Sequence, residues 1–230
     1  MPQKIKVGEL KTQNNKNNEG DLKMEQNKID LLIEVPQLIR PTSSKKAKII
    51  GINQYKDEKG NVLYEVVRQR EGEPYLCRQP IGDKDYEYSI KNVRRVIYNL
   101  PAVLEAIEKG EVIFITEGES KVDTLSELGI TATTVFSKYT NKWKEYYNQF
   151  LVGARGIIIL QDDDQRGIEF VNNTYTTLRE IFSEDKIGIM PITSICPEIN
   201  KQGADITDVR ELMQDDEKLT LILKTIASQI

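Results

Sequence analysis

Apolar and polar positions divide the chain into three stretches of different character. Residues 11–28, KTQNNKNNEGDLKMEQNK, offer almost nothing to bury and predict a disordered tail. A short apolar patch, Ile29-Asp30-Leu31-Leu32-Ile33, follows, and Pro36 and Pro41 punctuate a linker, so 1–44 is set aside as tail and linker. Between 45 and 100 the pattern turns to short β-rich runs. Lys48–Ile52 and Val62–Val67 flank Asp57-Glu58-Lys59-Gly60-Asn61, which has turn chemistry, and another strand is predicted over Tyr75–Arg78. These runs predict a small antiparallel sheet of three or four strands.

From about Val93 the pattern alternates between strand and helix. Helices are predicted over Pro101–Lys109, Ser120–Leu128, Trp143–Phe150, Gln165–Phe182, Ile206–Met213 and Glu217–Ser228, with Gly110 and Gly129 as stop signals. Strands are predicted over Val112–Ile115, Ile130–Phe136, Ile157–Leu160 and Lys186–Met190. The run Ile157-Ile158-Ile159-Leu160 is too apolar for a half-exposed sheet and fits a buried parallel one. The expected fold of 101–230 is therefore α/β, with a four-stranded parallel sheet and helices on both faces.

Composition narrows the chemistry. The 230 residues include no histidine, which removes imidazole acid/base catalysis and histidine metal ligands and leaves carboxylates, the donors that suit hard ions. The two cysteines, Cys77 and Cys196, lie far apart and match no zinc spacing. A formal charge of −4 gives no global attraction to nucleic acid, so any such binding needs a local basic surface. No apolar run approaches a membrane span and the polar start does not read as a signal peptide, so a cytoplasmic protein without membrane contact is expected.

Two acidic signals stand directly after apolar strands: Thr116-Glu117-Gly118-Glu119 and Gln161-Asp162-Asp163-Asp164. In open α/β sheets ligands bind outside the carboxyl ends of the strands. Were the two strands neighbours, Glu117, Asp162 and Asp164 would converge, and like charges that close need a cation to stay ionised. An ordinary structural account exists for each as well. Asp164 suits the N-cap of the long helix, and Glu117-Gly118 suits a plain strand-to-helix turn. Gly203-Ala204-Asp205-Ile206-Thr207-Asp208 forms a third acidic element, for which a helix cap is the simpler account.

Taken in order, these elements resemble the Toprim domain of bacterial primases, topoisomerases and some nucleases, closest to the primase part of phage and plasmid primase–helicases. The resemblance runs from about Val62 to Leu212. It includes Tyr64-Glu65-Val66-Val67-Arg68, Arg78-Gln79-Pro80 and Val93–Pro101 ahead of the acidic motifs. The motifs themselves are Ile115-Thr116-Glu117-Gly118-Glu119 with Asp123-Thr124-Leu125, Asp162-x-Asp164 with Gly167, and Asp205-Ile206-Thr207-Asp208. The resemblance implies that Glu117 is a general acid or base in nucleotidyl transfer. It implies that Asp162 and Asp164 bind Mg2+ (or Mn2+), with Asp205 as third-motif ligand and Asp208 in support. It implies primer synthesis from nucleoside triphosphates on a single-stranded DNA template, with a separate replicative helicase as a possible partner. A metal-dependent nuclease and a non-catalytic nucleic-acid-binding module of a replisome are the alternatives.

Three departures from the family pattern stand out. Lys121 occupies the position four residues after Glu117 where primase relatives usually carry aspartate; a cation there either holds phosphate directly or weakens metal binding. Ser137-Lys138-Tyr139-Thr140-Asn141 replaces a loop that often contains glycines. Neither an upstream zinc ribbon nor a downstream helicase motor is expected within the chain. Lys138, Lys142, Arg166, Arg94 and Arg95 are candidate phosphate contacts, although each also suits a surface charge or an ion-pair partner. Trp143, with Tyr146, Tyr147 and Phe150 on its face, reads as a core anchor before a stacking platform.

Overall fold

The computed structural model describes residues 48–70, 75–82, 85–136 and 142–230. The predicted tail and linker and the Ser137–Asn141 loop, Lys138 included, lie outside the described residues.

Four strands form the antiparallel sheet: β1 (Ile49–Lys56), β2 (Val62–Gln69), β3 (Leu76–Pro80) and β4 (Tyr86–Glu87), in that spatial order. The β1–β2 connection closes on Asp57, whose Oδ1 accepts from the amides of Lys59 and Asn61. Gly60 supplies the positive φ of 84° that this turn requires. Glu65 and Arg78 stand directly opposite each other on β2 and β3 and form a buried ion pair at 2.7 Å. Gln54 donates to the other carboxylate oxygen of Glu65 at 2.9 Å, and the Arg78 guanidinium lies 3.6 Å above the Tyr86 ring centre. The buried charges are thus hydrogen-bonded, the condition under which a sheet interior tolerates them.

The second sheet holds β5 (Val112–Ile115), β6 (Ala132–Thr133), β7 (Gly156–Gln161) and β8 (Ile187–Pro191), all parallel, in the order β6-β5-β7-β8. Every residue of β5 is buried, as are Gly156–Leu160 of β7, because helices cover both faces. Side-chain alternation sorts the isoleucines. Ile113, Ile115, Ile157 and Ile159 share a core with α1 (Leu100–Glu108), α3 (Gln165–Leu178) and the tyrosines of the antiparallel sheet. Val112, Phe114, Ile158 and Leu160 point the other way, to α2 (Glu119–Glu127), α5 (Ile206–Met213) and α6 (Asp216–Ala227). Each such side chain, fully withdrawn from water, contributes on the order of 1.5–3 kcal/mol of burial. A four-residue helix, α4 (Ile192–Ile195), follows β8 directly.

Three elements differ from their sequence expectation. The strand predicted over Ile130–Phe136 pairs only at Ala132–Thr133, because β6 lies at the sheet edge and has β5 alone as neighbour. The helix predicted over Trp143–Phe150 is a 3-10 helix, Glu145–Leu151, with Trp143 and Lys144 ahead of it. The long helix stops at Leu178 rather than Phe182, whose side chain folds back into the core. Trp143 is 1% exposed and donates from its indole to Asn148 at 2.9 Å, so it is a core anchor as its aromatic neighbours suggested. Among the described residues no helix is long and apolar enough to cross a membrane.

Candidate active site

Glu117 and the Asp162–Asp164 turn leave the carboxyl ends of adjacent strands. β5 and β7 are hydrogen-bonded neighbours with Ile115 opposite Ile159, so both acidic turns open on one rim of the sheet. That adjacency is what the convergence of Glu117, Asp162 and Asp164 required.

Each turn depends on a glycine, for a different reason. Gly118 has φ 92° and ψ 152°, a conformation closed to residues with a Cβ, and caps α2 directly behind Glu117. Gly167 has an ordinary backbone but no room: a Cβ there would stand 2.4 Å from the carbonyl oxygen of Asp162. The start of α3 therefore presses against the end of β7, and only glycine permits it.

The carboxylates are already engaged. Asp164 is the N-cap of α3, one oxygen accepting from the Gly167 amide at 2.7 Å, while the other faces Gly203, whose added Cβ would lie 3.5 Å away. Asp205 and Asp208 form a capping box at the start of α5: Asp205 Oδ1 accepts from the amides of Thr207 and Asp208, and Asp208 Oδ2 accepts from the amide of Asp205. Asp208 also pairs with Lys201. Burial works against ionisation of Asp208, but Lys201 and the Asp205 amide hold its carboxyl below the usual range. The ordinary structural account of Asp164 and Asp205 is thus correct, and it leaves each a second oxygen for other work. Two backbone hydrogen bonds join these motifs: the Asp163 amide donates to the Ala204 carbonyl at 3.0 Å, and the Gly203 amide to the Asp163 carbonyl at 2.9 Å.

Lys121 lies at the centre of the group. From the first turn of α2 its ammonium donates to Asp162 Oδ2 and stands 3.7 Å from Asp205 Oδ2. Asp162 is 6% exposed, and its burial outweighs the ammonium, so its carboxyl is pushed up to about 6. Glu117 is also raised, first by burial and further by the charge of Asp164, with Lys121 and Arg166 opposing.

Glu119 and Asp123, the other acids of the first motif, face away from this group. Tyr55 donates to Glu119 at 2.8 Å and Tyr98 to Asp123 at 2.9 Å, so both acids fasten α2 to the antiparallel sheet and the segment before α1. Their four-residue spacing on a helix was the available signal for a shared face. A cleft of about 800 Å³, lined by Lys56, Arg78, Tyr98 and Asp123 among others, opens on that side and includes none of the site carboxylates.

The cationic candidates divide. Arg166 is exposed and its charge is felt at Glu117. Lys142 is exposed. Arg94 makes a two-pronged pair with Glu58 at 2.9 and 2.6 Å, and Arg95 is buried with its guanidinium 5.3 Å from the Tyr64 ring centre. Neither is among the charges felt at Glu117.

The donor set divides the site with respect to a divalent ion. Glu117 and Asp164 supply hard oxygens, and the charge of Asp164 raises the Glu117 carboxyl, which fits such an ion. Between Asp162 and Asp205 the cation is the Lys121 ammonium. Among the described residues no three acidic or thiol side chains close on a common point for a metal.

No family model matches the chain, and no curated protein does. Solved structures do. The chain is similar to the primase catalytic core of E. coli, at 16% identity over 90% of this chain and 61% of that one, with a TM-score of 0.56. It is similar to the zinc-binding and RNA polymerase domains of Aquifex aeolicus primase, at 16% identity over 91% and 49%, with a TM-score of 0.54. A DnaG primase catalytic domain bound to single-stranded DNA matches at 17% identity over 76% and 52%, with a TM-score of 0.52. The chain thus spans between 49% and 61% of the length of these structures. A parallel sheet in the order β6-β5-β7-β8 with an antiparallel sheet ahead of it gives this chain the fold of the solved primase catalytic cores to which it is similar.

Proposed function

We propose that the chain is the catalytic core of a primase-type nucleotidyltransferase, joining nucleoside triphosphates on a single-stranded DNA template. The observation that carries this reading is the placement of Glu117 and the Asp162–Asp164 turn at the carboxyl ends of hydrogen-bonded neighbours, in a primase-core fold. Glu117 is the candidate general acid/base. Its carboxyl is raised toward neutrality by burial, the direction that suits a group that must both take and release a proton. Mg2+ (or Mn2+) is the proposed cofactor, held by Glu117 and Asp164; such an ion supplies charge stabilisation for phosphoryl oxygens when bound. Arg166 and Lys142 are the proposed phosphate contacts. A separate helicase is a proposed partner.

A template-dependent oligonucleotide assay tests the reading, with Glu117→Gln as the control. Product from the wild type and none from the variant is expected; equal product from both overturns it. One observation favours a second reading, a non-catalytic nucleic-acid-binding module: the ammonium of Lys121 already occupies the space between Asp162 and Asp205. Single-stranded DNA binding without any synthesis in the same assay would select that reading.

A further inference from the structure

Lys121 is placed against the preference of its own helix. It sits in the first turn of α2, where the dipole favours anions and disfavours a cation. Its side chain is only 13% exposed, and its two carboxylate neighbours, Asp162 and Asp205, are 8% and 24% exposed. Two acids so withdrawn from water repel and demand a positive charge between them. In this chain the charge is covalently attached: the ammonium contacts Asp162 and lies 3.7 Å from Asp205. Asp162 directly follows β7 and Asp205 is the cap of α5, so one lysine on α2 joins three elements.

We propose that Lys121 is a built-in monovalent cation that fills one of the cation positions of the site. The chain then takes a single exchangeable divalent ion, on the Glu117–Asp164 side, and keeps Asp162 and Asp205 together without any metal. This inference rests on the metal-dependent reading of the same rim. A second divalent ion beside Asp162 would have to expel an ammonium that the chain holds at high local concentration, and its charge would oppose entry.

Counting bound Mn2+ on the full chain, by calorimetry and by electron paramagnetic resonance, tests the inference. The wild type is expected to bind one ion and Lys121→Met two. In thermal denaturation Mn2+ is expected to raise the wild-type melting temperature only slightly above its value in chelator, as the binding of one ion requires. Lys121→Met is expected to melt several degrees lower in chelator and to recover in Mn2+, because the ion then supplies the missing charge. Lys121→Gln serves if the methionine variant does not fold, and the wild-type count stands by itself. Two ions on the wild type, or no additional ion on a folded variant, overturn the role of Lys121 while leaving the proposed function intact. No ion on either protein overturns both.

Discussion

Tyr55 and Glu119 join the two sheets through one hydrogen bond of 2.8 Å, from the tyrosine hydroxyl on β1 to a carboxylate oxygen on the first turn of α2. Tyr55 is wholly buried, stacks on Tyr64 at 4.5 Å between ring centres and touches Tyr98 at 5.3 Å. Burial raises the Glu119 carboxyl, and the Tyr55 hydroxyl is among the groups that oppose the rise. Tyr55→Phe strips a buried acceptor of its donor and is expected to cost about 1–3 kcal/mol. Urea denaturation measures it, and an unchanged midpoint would show that the bond holds nothing.

The two glycines of the acidic turns predict separable effects. Gly118→Ala meets no atom within 4 Å but is forced into a backbone region closed to alanine, at a cost of about 1–3 kcal/mol. Gly167→Ala keeps its torsions but collides with the Asp162 carbonyl, so α3 must retreat from β7. Amide hydrogen exchange should therefore rise at the start of α3 in the second variant and not in the first.

Asp164 carries two roles on two oxygens. Asp164→Ala removes the cap and is expected to cost about 1 kcal/mol. Asp164→Ser retains a cap and should restore most of that stability, while both variants lose Mn2+ binding at the Glu117 side. A serine variant that binds Mn2+ like the wild type would remove Asp164 from the ligand set.

Asp162 predicts a pH dependence of stability. Its folded carboxyl titrates at about 6 against an ordinary 3.8, so the folded state holds the proton more tightly than the unfolded state. The resulting stability is fully present below about pH 4 and is lost as pH rises through about 6, by about 3 kcal/mol at most. The stability difference between wild type and Asp162→Asn, followed by denaturant unfolding from pH 4 to pH 7, should shrink over that window. A difference that stays flat contradicts the burial argument.

Much of the parallel domain was legible because its central strands are buried on both faces. Val112–Ile115 and Ile157–Leu160 are unbroken apolar runs, and each ends in the acids that define the rim. The helix boundaries followed Gly110 and Gly129, both of which have positive φ. The extent of β6 was not legible, since Ile130–Phe136 is rich in β-branched residues throughout and only the neighbours decide how much of it pairs. The target of Lys121 could not be read either: Asp162 is 41 residues away, and helical periodicity alone does not say which partner a face meets. Sequence reading placed Glu119 and Asp123 near the site without a role; the tyrosines that claim them lie 64 and 25 residues upstream.

The paired backbone bonds between Asp163 and residues 203–204 have a mechanical consequence. They join the second and third acidic motifs into a single block, which fixes the turns that carry Asp162, Asp164 and Asp205 relative to one another. Glu117 follows β5, beside that block, and α2 behind it is fastened to Tyr55 of the antiparallel sheet and to Tyr98. The side chain of Lys121, on the same helix, ties the Glu117 side of the rim to that block.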